Sequence, residues 1–167
     1  MASVDIKMDP VDFVTVGTIG PKGKRVFHLQ AGQKTRVVSL IIEKEQAWAL
    51  SQAIKEMLED LNERFGEPTE ADLGTMDMDL REPIEPLFRV AQMGLGYDED
   101  RNIVILVAQE LVPSSADDDF LESVRPGVVR LGCSREQMQA LSLKAMETVK
   151  AGRADPRQNG RLIYYWT

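Results

Sequence analysis

The sequence is poor in cysteine and histidine, because its 167 residues contain one of each, Cys133 and His28. A single cysteine excludes an internal disulfide, and the two residues together cannot supply the four ligands of a Cys and His zinc site. So few thiols are typical of a chain that works in a reducing compartment. We therefore expect a cytoplasmic protein that has no metal centre and no other cofactor.

Long hydrophobic runs are also missing. No apolar stretch approaches the ~20 residues that span a bilayer, and residues 1–7 lack the basic start and apolar core of a secretion signal. The composition, 43% hydrophobic and 28% charged, is that of a soluble globular protein. The net charge of −7 argues against a general nucleic-acid or anionic-membrane binder. We expect residues 1–167 to form a single domain that does not bind membranes.

Two segments that lie 91 residues apart are similar to each other. Residues 37–51 read VVSLIIEKEQAWALS, and residues 128–142 read VVRLGCSREQMQALS. Each segment is a short apolar strand that leads into an amphipathic helix. A repeated unit of this kind indicates that neither copy can bury its apolar face alone. We therefore predict two related strand–helix units, with Leu50 and Leu141 buried at equivalent positions.

The rest of the chain extends this repeat into two similar halves. In the first half, residues 13–66, β-branched and alternating patterns predict three strands, with Phe27 and Leu29 facing inward, before a helix over residues 43–65. The second half, residues 87–152, shows the same order. We predict an α+β fold of two pseudo-symmetric βββα halves, in which two main helices cover a mostly antiparallel sheet.

Two further segments differ from these halves in composition. Residues 67–86 are acidic and contain Pro68, Pro83 and Pro86, which predicts a linker or an ordered surface loop between the halves. Residues 162–166 read Leu-Ile-Tyr-Tyr-Trp and form a short apolar tail beyond the second helix.

The basic residues of the first hairpins form the candidate binding site. Residues 13–42 contain five basic side chains and no carboxylate. Several cations on one surface raise the local concentration of anions, so we predict that this surface attracts a phosphate or an acidic partner and that the histidine senses its protonation. The alternative is that these cations pair with the acidic face of the following helix. The predicted anion- or partner-binding residues are Lys22, Lys24, Arg25, His28 and Arg36.

The sequence contains no recognisable catalytic constellation. A phosphate loop needs four residues between its glycines and a helix after them, whereas five residues separate Gly17 from Gly23 and a predicted strand follows. There is no second histidine to pair with His28 as a base or as a metal ligand. We therefore assign no catalytic and no metal-binding residues.

Several blocks of the chain resemble a bacterial family, the domain of unknown function numbered 3090, which occurs mainly in actinobacteria. The similar blocks are residues 17–31, 36–46, 62–66 and 88–98, which include the motifs Met-Gly-Leu-Gly and Glu-Lys-x-Gln. The resemblance supplies no catalytic residues. Members of the family accompany a histidine-phosphatase-like and a kinase-like protein in gene trios, which implies phosphate chemistry by association only.

The chain departs from this family near its C-terminus. Family members carry a Cys-x-x-Cys motif followed by a His and Cys segment that resembles a zinc knuckle. Here Arg153 is followed almost directly by Pro156 and Arg157, without those ligands. The departure implies that zinc is not needed for a function that the whole family shares.

Together these observations favour a non-enzymatic binding or adaptor protein with a protein partner. One alternative is an enzyme or regulator that acts on a phosphorylated metabolite through the basic hairpin. A second alternative is single-strand nucleic-acid binding, which the acidic balance disfavours. A homodimer is compatible with each of these functions.

Overall fold

The computed structural model describes residues 4–21, 23–66, 76–112 and 125–151. Within these ranges the chain forms seven strands and two helices, and the prediction of an α+β fold with βββα halves is confirmed. The elements are β1 Asp5–Met8, β2 Phe13–Ile19, β3 Val26–Gln33, β4 Arg36–Ile42, α1 Lys44–Phe65, β5 Pro86–Asp98, β6 Ile103–Glu110, β7 Val128–Cys133 and α2 Arg135–Ala151. Neither helix combines the length and apolar character needed to cross a bilayer.

The strands form one mostly antiparallel sheet in the order β1-β7-β6-β5-β4-β3-β2. Two pairs are parallel, β4 with β5 and β1 with β7. The strands at the two ends of this order, β1 and β2, are joined by only residues 9–12. Within that segment the Val11 amide donates to the Gly132 carbonyl at 2.9 Å, and the Asp12 amide donates to the Gly32 carbonyl at 2.7 Å. The sheet is therefore curled until its two ends meet.

The two helices begin with the same arrangement. The Glu43 amide donates to Oε1 of Gln46 at 2.7 Å, and the Ser134 amide donates to Oε1 of Gln137 at 2.9 Å. The Gln137 amide also donates to the Ser134 hydroxyl oxygen at 3.0 Å, which completes a capping box. Each helix start thus satisfies backbone donors that a helix cannot satisfy itself.

Each of these glutamines also ties its helix to a strand. Nε2 of Gln46 donates to the Val90 carbonyl at 3.0 Å, and Nε2 of Gln137 donates to the Val11 carbonyl at 3.1 Å. The two contacts are equivalent in the two halves. Each helix follows one strand of a parallel pair, β4 with β5 or β7 with β1, and each glutamine bonds to the chain at or just after the other strand of that pair. The halves are therefore related by a pseudo-twofold.

The core lies between the sheet and the two helices. Leu50 of α1 is 4% exposed and Leu141 of α2 is fully buried, so their predicted burial is confirmed. Phe27 and Leu29 face the core as predicted. His28 and Gln30 lie on the opposite face of β3 and are buried as well.

Residues 76–82, which we call the strap, cover this outer face of the first half. The Thr15 hydroxyl donates to the Met78 carbonyl at 2.6 Å. Gln30 donates to the Arg81 carbonyl at 2.9 Å and accepts from the Arg81 amide at 2.7 Å. The Arg81 guanidinium lies 3.7 Å from the ring centroid of Phe13. With these contacts, the central residues of β2, β3 and β4 are buried on both faces of the sheet.

Candidate functional site

A groove of about 750 Å³ runs between α1 and α2, and we call it the interhelical groove. This volume lies within the usual range for small-molecule sites, roughly 300–1,000 Å³. Its apolar wall is formed by Leu58, Leu143 and Met146, and its polar rim includes Lys55 and Glu59. The groove thus offers both an apolar surface and charged groups to a ligand.

Two serines at equivalent positions join the helices beside this groove. The Ser51 hydroxyl donates to the Ser142 carbonyl and the Ser142 hydroxyl donates to the Ser51 carbonyl, each at 2.8 Å. The two hydroxyl oxygens are 3.2 Å apart. Because each hydroxyl proton is held by a backbone carbonyl, the pair fixes the helices and neither serine is activated as a nucleophile.

Arg135, the first residue of α2, also lines the groove and is only 6% exposed. Its Nε donates to Oδ1 of Asn102 at 3.0 Å, and its Nη1 donates to Oδ1 of Asn62 at 3.0 Å and to the Gly66 carbonyl at 2.8 Å. All three acceptors are neutral. Among the residues that the structure describes, Arg135 has no ion pair with a carboxylate.

The structure separates the cations that the sequence grouped together. Lys24 and Arg25 lie at the turn between β2 and β3, where Nη1 of Arg25 donates to the Ala151 carbonyl at 3.1 Å. Arg36 pairs with Gln33 at the opposite end of β3, about 26 Å from Arg25 at the usual rise of a strand. Lys22 lies outside the described residues. Of the predicted binding residues, only Lys24 and Arg25 are therefore described together at the turn between β2 and β3.

His28 does not reach the surface of that turn. It is 4% exposed, and its Nδ1 has no hydrogen-bond partner among the described residues. Desolvation lowers the pKa of His28 below its ordinary value of 6.5. The imidazole is therefore neutral at pH 7 and buried on the face that the strap covers.

A second groove, of about 470 Å³, lies beside the same turn, and we call it the turn groove. Its charged residues are Arg25, Lys44, Arg89 and Glu43, and Nη1 of Arg89 is 2.6 Å from Oε1 of Glu43. Sequence reasoning missed both Lys44 and Arg89. Lys44 comes beside Arg25 through the antiparallel pairing of β3 with β4, and Arg89 joins them through the parallel pairing of β4 with β5.

Cys133 is fully buried in the core. Desolvation, with a smaller contribution from Asp9, raises the pKa of its thiol to about 12, so the group is protonated and unreactive at neutral pH. In the described ranges no group of three or more His, Cys, Asp or Glu side chains is arranged to hold a metal ion.

Arg135 was also missed, although one sequence signal was available. A cation at the first position of a helix is unfavourable, because that end of the helix carries partial positive charge. An arginine at this position therefore needs a partner that stabilises its positive charge. Here Asn62 and the Gly66 carbonyl, at the C-terminal end of α1, accept hydrogen bonds from the guanidinium.

The curled sheet, the paired helices and the groove between them define a pseudo-symmetric α+β domain of two βββα units. The chain belongs to the DUF3090 family, described as proteins of unknown function, whose model matches residues 6–158. The resemblance inferred from the sequence blocks is thereby confirmed. No curated protein and no solved structure matches this chain. The departure near Arg153 lies outside the described residues.

Proposed function

We propose that this protein is a non-enzymatic, cytoplasmic binding protein that holds a small ligand with an anionic group in the interhelical groove. The observation that carries the proposal is the buried guanidinium of Arg135, which lines a ligand-sized groove and whose hydrogen-bond acceptors among the described residues are all neutral. An adaptor role, in which the loaded protein binds a protein partner, is part of the same proposal.

The charge balance around Arg135 supports an anionic ligand. Burying a cation is costly unless an opposite charge accompanies it. The end of α1 at Gly66 supplies only about half an elementary charge. A phosphate or carboxylate placed beside the guanidinium would complete the compensation, while Leu58 and Met146 would contact an apolar part of the ligand.

The groove supports binding better than catalysis. Among the described residues, its lining contains one carboxylate, Glu59, and neither histidine nor cysteine. The hydroxyl groups of Ser51 and Ser142 each donate a hydrogen bond to the backbone carbonyl of the other serine. A ligand held there would meet one charged anchor and an apolar wall, which is typical of a recognition site.

The test is thermal unfolding of the full chain with a panel of phosphorylated and carboxylated metabolites, and with inorganic phosphate. A ligand at 100 times its Kd should stabilise the protein by about 2.7 kcal/mol. Leu143→Trp should fill the groove and abolish the shift. Leu111→Trp is the matched control, because Leu111 is 49% exposed, Leu143 is 50% exposed, and Leu111 is not part of the groove.

A further variant tests the anchor. Arg135→Met should remove the preference for anionic over neutral members of the panel, and Lys55→Ala on the rim should weaken binding less. Absence of any shift in the panel, or equal shifts in Leu143→Trp and the parent, would contradict the proposed function.

The second candidate is an enzyme or regulator that acts on a phosphorylated metabolite at the turn groove. It is favoured by the three cations Arg25, Lys44 and Arg89 around that groove. The triple variant Lys22→Ala, Lys24→Ala, Arg25→Ala should then lose phosphate-dependent stabilisation and any copurifying partner. Its control is Arg36→Ala at the other end of the hairpin, and equal behaviour of the two variants would dismiss this candidate.

We also propose that the two halves arose by internal duplication. The proposal is supported by the equivalent contacts of Gln46 and Gln137 and by the reciprocal bonds of Ser51 and Ser142, which lie 91 residues apart. A tandem chain made of two copies of one half tests it. Folding of such a chain into the same sheet would support duplication, and failure of the tandem chains of both halves to fold would argue against it.

A further inference from the structure

The turn between β5 and β6, residues 99–102, is linked to two arginines that have different partners. The side chain of Arg101, within the turn, is half exposed and forms ion pairs with Asp9 at 2.7 Å and with Asp98 at 2.8 Å. Arg135 is buried, and the next residue of the turn, Asn102, offers it an amide oxygen at 3.0 Å. Because an unpaired charge is more costly when it is buried, the opposite distribution is expected of two purely structural arginines.

The geometry of Asn102 does not require an amide. Its Oδ1 accepts hydrogen bonds from the Tyr97 hydroxyl at 2.6 Å and from Nε of Arg135 at 3.0 Å. Its φ of 55° lies in the left-handed region, which aspartate also adopts. A carboxylate of the same shape could accept both bonds, and its bond with the guanidinium would be stronger. The neutral amide therefore leaves unused a stabilisation that aspartate would supply.

Asn62 gives Arg135 the same kind of contact from the other helix. Its Oδ1 accepts from Nη1 at 3.0 Å, and the Gly66 carbonyl accepts from the same nitrogen at 2.8 Å. A guanidinium carries five N–H donors, and the bonds to Asn62, Gly66 and Asn102 engage only Nε and Nη1. Within the described contacts, the N–H groups of Nη2 are thus left for a ligand. The three acceptors fix the guanidinium and do not neutralise it.

We propose that Asn62 and Asn102 are positioning residues that make the interhelical groove selective for anions. They hold Arg135 in place and, as neutral amides, leave its positive charge to the ligand. A carboxylate at either position would compensate the guanidinium internally and repel the anionic group of a ligand. The inference rests on the proposed function, because it concerns how the same groove selects what it binds. A binding site often keeps such a less stable arrangement where recognition depends on it.

Asn102→Asp in the full chain tests the proposal, because it adds a charge without changing the shape of the side chain. Without ligand, the variant should unfold about 2–4 °C above the parent, since its carboxylate pairs with Arg135. In an Arg135→Met background the same substitution should give no such rise. Thermal unfolding is then followed against the concentration of inorganic phosphate and of phosphorylated, carboxylated and neutral metabolites. Asn102→Asp should bind the anions at least about tenfold more weakly, and the neutral compounds within about twofold of the parent.

Two control variants separate charge from geometry. Asn102→Gly fits the positive φ and removes the acceptor of Nε without adding a charge, so it should keep the preference for anions. Gln52→Glu adds a carboxylate to the groove lining about 15 Å along α1 from Asn62, and it should weaken anion binding by less than about threefold. Should Asn102→Asp fail to fold, Asn62→Asp provides the same readout.

The possible results distinguish this inference from the proposed function. A parent that no anion stabilises would contradict the proposed function, and the inference with it. A parent that anions stabilise, with an Asn102→Asp variant that binds them equally well, would overturn the inference alone. Equal losses of anion binding in Asn102→Asp and Asn102→Gly would also overturn it, because the amide would then act through geometry only. An equal rise in unfolding temperature with and without Arg135 would overturn it too, since the new carboxylate would then not act on that guanidinium.

Discussion

The contact between Gly17 and the strap leads to a quantitative prediction. A Cβ atom at this position would lie 2.7 Å from Cγ and 2.9 Å from Cδ1 of Leu80, so Gly17→Ala forces the strap or its leucine to move. The strap has little freedom to yield, because Gln30 holds the backbone of Arg81 through both its amide and its carbonyl.

The expected magnitude combines two opposing effects. Overpacking of this kind costs about 1–3 kcal/mol, while replacing glycine by alanine stabilises by about 0.4–1 kcal/mol through the unfolded state. We therefore expect Gly17→Ala to lower the free energy of unfolding by about 1–2 kcal/mol. Urea denaturation, with the slope m compared between variants, measures this change.

A double-mutant cycle identifies the cause. In a Leu80→Ala background the clash is absent, so Gly17→Ala should be neutral or stabilising by up to about 1 kcal/mol. The two substitutions should therefore be coupled by about 1–3 kcal/mol. Strictly additive effects would refute the reasoning, because they would mean that the strap does not rest on this glycine.

Four further predictions follow from the core and from the buried groups. Leu50→Ala and Leu141→Ala should each cost on the order of 2–5 kcal/mol in urea denaturation, and a cost below about 1 kcal/mol for either would contradict their shared role. Because the folded pKa of His28 is lowered, the unfolded chain binds more protons below pH 6.5, so stability should fall there by at most about 1.4 kcal/mol per pH unit; His28→Leu should flatten that slope. Cys133 should react with a thiol reagent only as fast as the protein unfolds, and rapid labelling under native conditions would be inconsistent with its burial. Elemental analysis after dialysis should show no stoichiometric zinc.

The sequence alone determined the local elements and their repetition. Alternation placed Phe27 and Leu29 on the inner side of β3, and the spacing of Ser134 and Gln137 is that of a capping box at the start of α2. These features are readable because their causes lie within a few neighbouring residues. A side-chain period or a helix cap needs no information from the rest of the chain.

The candidate site was decided by tertiary structure. The basic residues of the first hairpins looked continuous along the chain, but strand length separates Arg36 from Arg25, whereas Arg89 joins Arg25 from 64 residues away. Likewise Arg135 meets Asn62 across 73 residues. No local pattern encodes such contacts.

The covering of the sheet depended on tertiary structure as well. Residues 76–82 belong to the segment that the sequence marked as a linker or an ordered surface loop. In the structure, Met78 and Arg81 satisfy the polar groups of Thr15 and Gln30, and the outer face of β3 is buried. Strand periodicity tells which residues share a face, but not whether another segment lies on it. Whether a face is covered depends on contacts between residues more than 50 positions apart, such as Thr15 with Met78 and Gln30 with Arg81.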